Sequence, residues 1–95
     1  MAVVTGIRDR VGDRFLGLDL YPNDRSACRG FVIAMDNVRR NGSDYVMKTI
    51  EDYEVWFLGV FDEESGSFDL LDKAHVLMYG IQALKELNEV YESED

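Results

Sequence analysis

Apolar and polar positions alternate over the first twenty residues of this chain, and a stretch with helical spacing follows. Val3, Thr5 and Ile7 recur at period two, Gly12-Asp13 marks a turn, and Leu16, Leu18 and Leu20 resume the alternation. This predicts a hairpin over 3–20 with each triplet on one face. If 7–10 is extended, Arg8 and Arg10 share the face opposite Ile7. Tyr21-Pro22-Asn23-Asp24 then stops the strand, because proline lacks a backbone donor and either Asn23 or Asp24 can cap a helix. Cys28, Phe31, Val32, Met35 and Val38 form an apolar stripe over 24–40. Arg39-Arg40 suit the negative end of that helix and Asn41-Gly42 ends it. Arg25 and Arg29, four apart, lie on one flank.

Residues 44–52 read either as a short strand carrying Tyr45 and Met47 or as an irregular connection. The run 53–61 is rich in aromatic and β-branched residues and predicts a strand. Tyr53, Val55, Phe57 and Phe61 fall on one side of it and Trp56, Leu58 and Val60 on the other, so both faces are apolar and two covering layers are expected. Asp62-Glu63-Glu64-Ser65-Gly66 is a turn, and 67–70 return as a strand. From 71 to about 92, Ala74, Leu77, Ile81, Leu84, Asn88 and Tyr91 follow heptad spacing, widened by Met78, Leu87 and Val90. Asn at such a position fixes register in paired helices. Two readings stay open: the helix folds back as the second cover, or Leu77, Ile81, Leu84, Asn88 and Tyr91 pair with another copy. Residues 92–95 read as a frayed acidic end.

The expected architecture is a single α+β domain over 1–95. A small antiparallel sheet carries one amphipathic helix on a face, with a core over 3–72 and a heptad-patterned helix over 72–92. Ninety-five residues can bury an adequate core but not a generous one, so dimerisation would help. The N-terminus does not read as a signal peptide and no apolar run approaches a bilayer span, so a soluble intracellular protein is expected. A single cysteine forms no internal disulfide, and one histidine cannot supply a histidine pair for a metal.

Charge is unevenly distributed. The net charge is −9, yet residues 1–50 carry net +2 and residues 51–95 net −11. Seven of the eight cations in the first half are arginines: Arg8, Arg10, Arg14, Arg25, Arg29, Arg39 and Arg40. Their planar guanidinium groups suit phosphates and base stacking, although nearby aspartates equally suit a salt-bridged, solvated surface.

Catalytic chemistry is not legible. The glycines match neither nucleotide-binding fingerprint. Asp72 and His75, three apart on the expected helix, read as a surface or capping pair rather than metal ligands. Cys28 reads as a small hydrophobe on an apolar stripe. The acidic turn at 62–64 lacks the calcium-loop ligand order and reads as solubilising. Neither an enzyme nor a cofactor or metal is expected. Binding remains: a small interaction module first, and second a single-stranded nucleic-acid binder in which rings such as Trp56, Tyr45, Tyr53 or Tyr21 stack on bases beside arginine.

One resemblance reverses that order. Ile7-x-Asp9 through Phe15, then Tyr21-Pro22-Asn23-Asp24-x-x-Ala27-x-Arg29-x-Phe31, then Glu51-Asp52-Tyr53-Glu54-Val55-Trp56-x-x-Gly59-x-Phe61-Asp62-Glu63-Glu64-Ser65-Gly66 resemble, in order and spacing, the small nonstructural protein of gokushoviruses, phages with single-stranded circular DNA. The resemblance covers about 3–72, and the heptad-patterned tail exceeds it. It implies a non-enzymatic protein that binds single-stranded DNA in genome synthesis and packaging, in the cytoplasm of a bacterial host. Arg29 and the Pro22-Asn23-Asp24 helix start carry over from the motif. Charge alone adds Arg8, Arg10, Arg14, Arg25, Arg39 and Arg40 as phosphate contacts, with Tyr45 or Trp56 as stacking rings. The competing expectation is an oligomeric adaptor that binds a capsid or host replication protein and never contacts DNA.

Overall fold

The computed structural model describes residues 1–40 and 50–93, apart from the side chains of Val38, Arg39, Asp72, Lys73 and 90–93. Its elements are β1 (Ala2–Asp9), β2 (Arg14–Tyr21), α1 (Asp24–Arg40), a 3-10 turn at Ile50–Asp52, β3 (Tyr53–Phe61), β4 (Phe68–Tyr79) and α2 (Gly80–Ser93). The four strands form one antiparallel sheet in the order β2-β1-β3-β4. This is an α+β fold of two successive ββα units whose first strands pair at the centre. Of the ambiguous stretch 44–52, only the 3-10 turn lies within the described residues.

Local chemistry sets the helix starts. Asn23, not Asp24, caps α1: its Oδ1 accepts the Ser26 N–H at 2.8 Å, and its carbonyl accepts the Ala27 N–H at 3.1 Å. Asp24 adds a carboxylate to the positive first turn. At α2 the Tyr79 N–H donates to Gln82 Oε1 at 2.8 Å, half of a capping box with Gln at the third helical position.

The C-terminal expectation of a helix from 72 is corrected here. Residues 71–79 continue β4, with Met78 opposite Val55 and Val76 opposite Trp56, and the helix begins only at Gly80. The heptad spacing therefore spans a strand–helix junction and is not one helical seam. Asp72 and His75 consequently lie on a strand, and the His75 ring stacks on Phe57 with centroids 5.0 Å apart. Gly80 fixes the junction because a Cβ there would collide with the Ile50 carbonyl oxygen and meet the Tyr53 carbonyl oxygen at 2.6 Å.

Both helices cover the same sheet face. Phe31 and Met35 of α1, Ala83 and Leu87 of α2, Ile50, Tyr53 and Val55 make the buried core, flanked by Ile7, Leu16, Val32, Leu77, Met78 and Leu84. Ala27, on α1 itself, is also fully buried. The two-layer cover expected for β3 is thus corrected: two helices share one side, and the opposite face carries no element among the described residues.

Two bulges decide which residues face which side. Phe15 pairs with Arg8 and Leu18 with Gly6, so β2 holds one extra residue around Leu16-Gly17, where Gly17 adopts φ 153°. Leu16 therefore joins the core while Leu18 and Leu20 turn to the open face, correcting the expected common face for the three leucines. In β3, Phe57 opposes Thr5 and Gly59 opposes Val4, leaving Leu58 extra. Beyond that bulge the alternation reverses, and Phe61 joins the open face against Phe68, ring centroids 4.6 Å apart. The first-strand expectation holds, with Ile7 in the core and Arg8 opposite.

Gly80→Ala is expected to destabilise the fold by about 2 kcal/mol or more, since both clashing atoms are backbone. Asn23→Ala is expected to cost ~1 kcal/mol and Asn23→Gly only a few tenths. Urea denaturation followed by far-UV circular dichroism checks both orders.

Candidate nucleic-acid interface

The open sheet face has two chemically distinct ends. At the β1–β2 turn, the Arg8 guanidinium lies 5.9 Å from the ring centroids of both Phe15 and Trp56, and the two rings meet edge to face at 5.9 Å. Arg8 also pairs with the exposed Asp13 carboxylate. Placing a cation between two rings gains cation–π attraction without burying the charge. The Trp56 Nε1–H is buried without an acceptor among the described residues. At the other end, Val4 and Leu58 floor a depression of about 520 Å³ walled by the apolar residues Phe15, Leu18, Phe68, Leu70, Leu71 and Ala74.

The tight turn that presents Arg8 is held by Asp9, whose Oδ1 accepts the Val11 and Gly12 N–H groups, both at 3.0 Å. Asp13 completes it at φ 53°, a left-handed conformation that aspartate tolerates better than most residues. Arg10 is exposed, with its backbone N–H donating to the Asp52 carbonyl at 2.9 Å. Arg14 is exposed at the start of β2, opposite Asp9. The turn therefore carries Arg8, Arg10 and Arg14, with Arg8 beside Phe15 on the open face and Arg14, one position earlier on β2, on the other side; one of its two carboxylates is engaged by backbone amides.

The remaining arginines are elsewhere. Arg25 and Arg29 belong to the helical layer, where with Cys28, Val32, Ile33, Met78 and Glu86 they line a groove of about 540 Å³. Arg40 pairs with Asp36 one turn earlier on α1, Nε to Oδ2 3.0 Å. The Arg39 side chain and Tyr45 lie outside the described residues. A single electropositive patch made of all seven arginines is thus corrected: Arg8 is on one side of the sheet and Arg25 and Arg29 are on the layer covering the other, because the strand and helix that carry them sandwich the core.

The expected self-association seam also divides. Leu77 is on β4 and packs with Leu84 against the core, whereas Ile81 and Asn88 are exposed beside Lys85 and Glu89 in a shallow surface depression. Tyr91 has its side chain outside the described residues.

Other titratable groups are structural in their geometry. Burial, reinforced by the Asp24 and Glu86 charges, pushes the Cys28 thiol above its ordinary range, which disfavours the nucleophilic thiolate; its Sγ lies 3.9 Å from the Leu77 carbonyl oxygen. The Tyr21 phenol is raised by burial and by Asp19. Asp62 is lowered, first by the Glu64 backbone N–H and then by Ser65; it organises the β3–β4 turn rather than offering a ligand. Among the described residues no group of three or more His, Cys, Asp or Glu is placed to hold a metal ion, and no helix is long and apolar enough to cross a membrane.

Phe15 is the residue that sequence reading did not single out for the interface. Its signal was present only in combination: a turn-flanking aromatic whose cross-strand neighbour is arginine, visible once the β2 bulge is known.

No curated protein and no solved structure matches the chain. A family model described as Phage ORF5 protein matches residues 2–83. That span takes in the whole sheet, α1 and the start of α2, so residues 73–83, expected to lie beyond the family's extent, are inside it. With most of its length and every strand covered, the chain belongs to the Phage ORF5 protein family.

Proposed function

We propose that this phage protein is a non-enzymatic single-stranded DNA-binding protein of the gokushovirus nonstructural type, acting in genome synthesis and packaging in the cytoplasm of a bacterial host. One observation carries the reading: Arg8 set between the Phe15 and Trp56 rings on the uncovered face of an antiparallel sheet. Extruded bases stack on such rings whatever their sequence, and the adjacent guanidinium groups neutralise phosphates. Four-stranded sheets with exposed aromatics serve single-stranded nucleic acids in other folds for the same reason.

The separation of the arginines makes the proposal narrower than the sequence alone does. Phosphate contact falls to Arg8, Arg10 and Arg14, while Arg25, Arg29 and Arg40 serve the helical layer. Asp13 is highly exposed, so a phosphate can replace it as the partner of Arg8 at small cost, since exposed ion pairs are worth little. The anionic remainder of the molecule opposes indiscriminate coating of DNA and favours short contacts.

Anisotropy of a labelled oligo-dT measured across salt concentrations tests this. With two or three phosphates neutralised, log affinity should fall against log salt with a slope of about −1.4 to −2. Trp56→Ala and Phe15→Ala should each weaken binding about tenfold, Arg8→Ala should weaken it and flatten the slope, and Arg25→Ala should leave it nearly unchanged. Trp56 is the only tryptophan, so its fluorescence should be quenched on binding. Absence of binding at low salt would favour the oligomeric adaptor for a capsid or replication protein.

A further inference from the structure

We propose that the apolar end of the open sheet face is a homodimer interface, in which a second copy of this chain packs sheet to sheet about a two-fold axis. The depression floored by Val4 and Leu58 is lined by apolar side chains throughout. Its walls project far: Leu18 is 65% exposed, Phe68 58% and Leu70 68%, whereas Val4 on the floor is 1% exposed. Ridges on the edge strands β2 and β4 therefore flank a furrow over the central strands β1 and β3. Gly6 and Gly59, which lack side chains, deepen that furrow; a Cβ on Gly6 would already meet Leu58 and Phe15 at 3.0 Å.

That relief is self-complementary. A ridge of one copy fits the furrow of the other, and an isologous contact satisfies both at once. Sheets pack face to face about 10 Å apart through such interdigitated apolar side chains. Area supports the same occupant. At ~200 Å² for a fully exposed side chain of this size, Phe15, Leu18, Leu20, Phe68, Leu70 and Leu71 leave roughly 600 Å² of apolar surface in water, near the ~800 Å² each partner gives a standard interface. It also stands at the upper limit of the largest patch on ordinary monomers. Charge decides between a copy and a strand of DNA at this end: none of its lining residues carries a guanidinium for a phosphate, and Arg8 reaches only its Phe15 rim. It is equally the place where two copies, each of net charge −9, meet without opposing carboxylates on the lining residues.

The assignment moves self-association away from α2. Light scattering on the full chain at high micromolar concentration should give twice the 10.9 kDa chain mass. The double variant Leu18→Glu with Leu70→Glu should be monomeric with unchanged far-UV circular dichroism, since both side chains are exposed and support no core. Ile81→Glu, on the outer face of α2, should remain dimeric. A monomeric wild type, a dimer that survives the double glutamate variant, or a dimer lost instead with Ile81→Glu would each overturn the proposal. Trp56→Ala should stay dimeric, so failure of the DNA reading and failure of this interface give different results.

Discussion

Everything in this molecule depends on a sheet that is apolar on both faces but covered on only one by the described residues. The cause is topological. Each half of the chain is a hairpin followed by a helix, and the first strand of each hairpin pairs with the other at the sheet centre. A helix leaving either edge strand returns over the same side, where Phe31 and Met35 meet Ala83, Leu87, Tyr53 and Val55. Gly80 holds the second helix to that side, since the Ile50 and Tyr53 carbonyls leave no room for a side chain. Among the described residues no third layer covers the remaining apolar face, which is therefore open to a partner.

Much of this was legible in the chain. The Pro-Asn-Asp start and the Phe31/Met35 spacing located α1, and the density of aromatic and β-branched residues located β3. What failed did so for two physical reasons. Heptad spacing from Ala74 onward is compatible with a helix, but in 71–79 alternate residues also fit an edge strand beside β3, and tertiary pairing outweighs local spacing. The better signals were Gly80 and Gln82, a break and a capping side chain at the true helix start. Single-residue bulges were the second reason. Alternation carries no mark of an inserted residue except a glycine such as Gly17, yet one insertion in β2 reassigns Leu16 and Leu18 between core and surface and another in β3 reassigns Phe61.

The candidate site was half legible. Arg8 and Trp56 could be named from residue type, but their meeting depends on register, which pairs Gly6 with Trp56 and Arg8 with Phe15 across β1. Arginine count, by contrast, misled. Cations close in sequence but on different elements are carried to different layers, so Arg25 and Arg29 line a groove in the helical layer and not the face that holds Arg8's rings. Local geometry, not half-chain net charge, decides where a phosphate is welcome.

The two ends of the open face then become complementary rather than competing. A platform with about three guanidinium groups gives weak binding to any single short segment, because each neutralised phosphate contributes only a modest, salt-sensitive increment. Joining two such platforms changes that without new contacts: once one is occupied, the second sees the same strand at high effective concentration. In the proposed dimer the aliphatic ends face each other, Phe15 stands at the boundary, and the Arg8 and Trp56 ends lie away from the axis, one on each copy. Under the two proposals together, a strongly acidic small protein would gain affinity for a long flexible polynucleotide from pairing, while a short oligonucleotide would engage one platform alone.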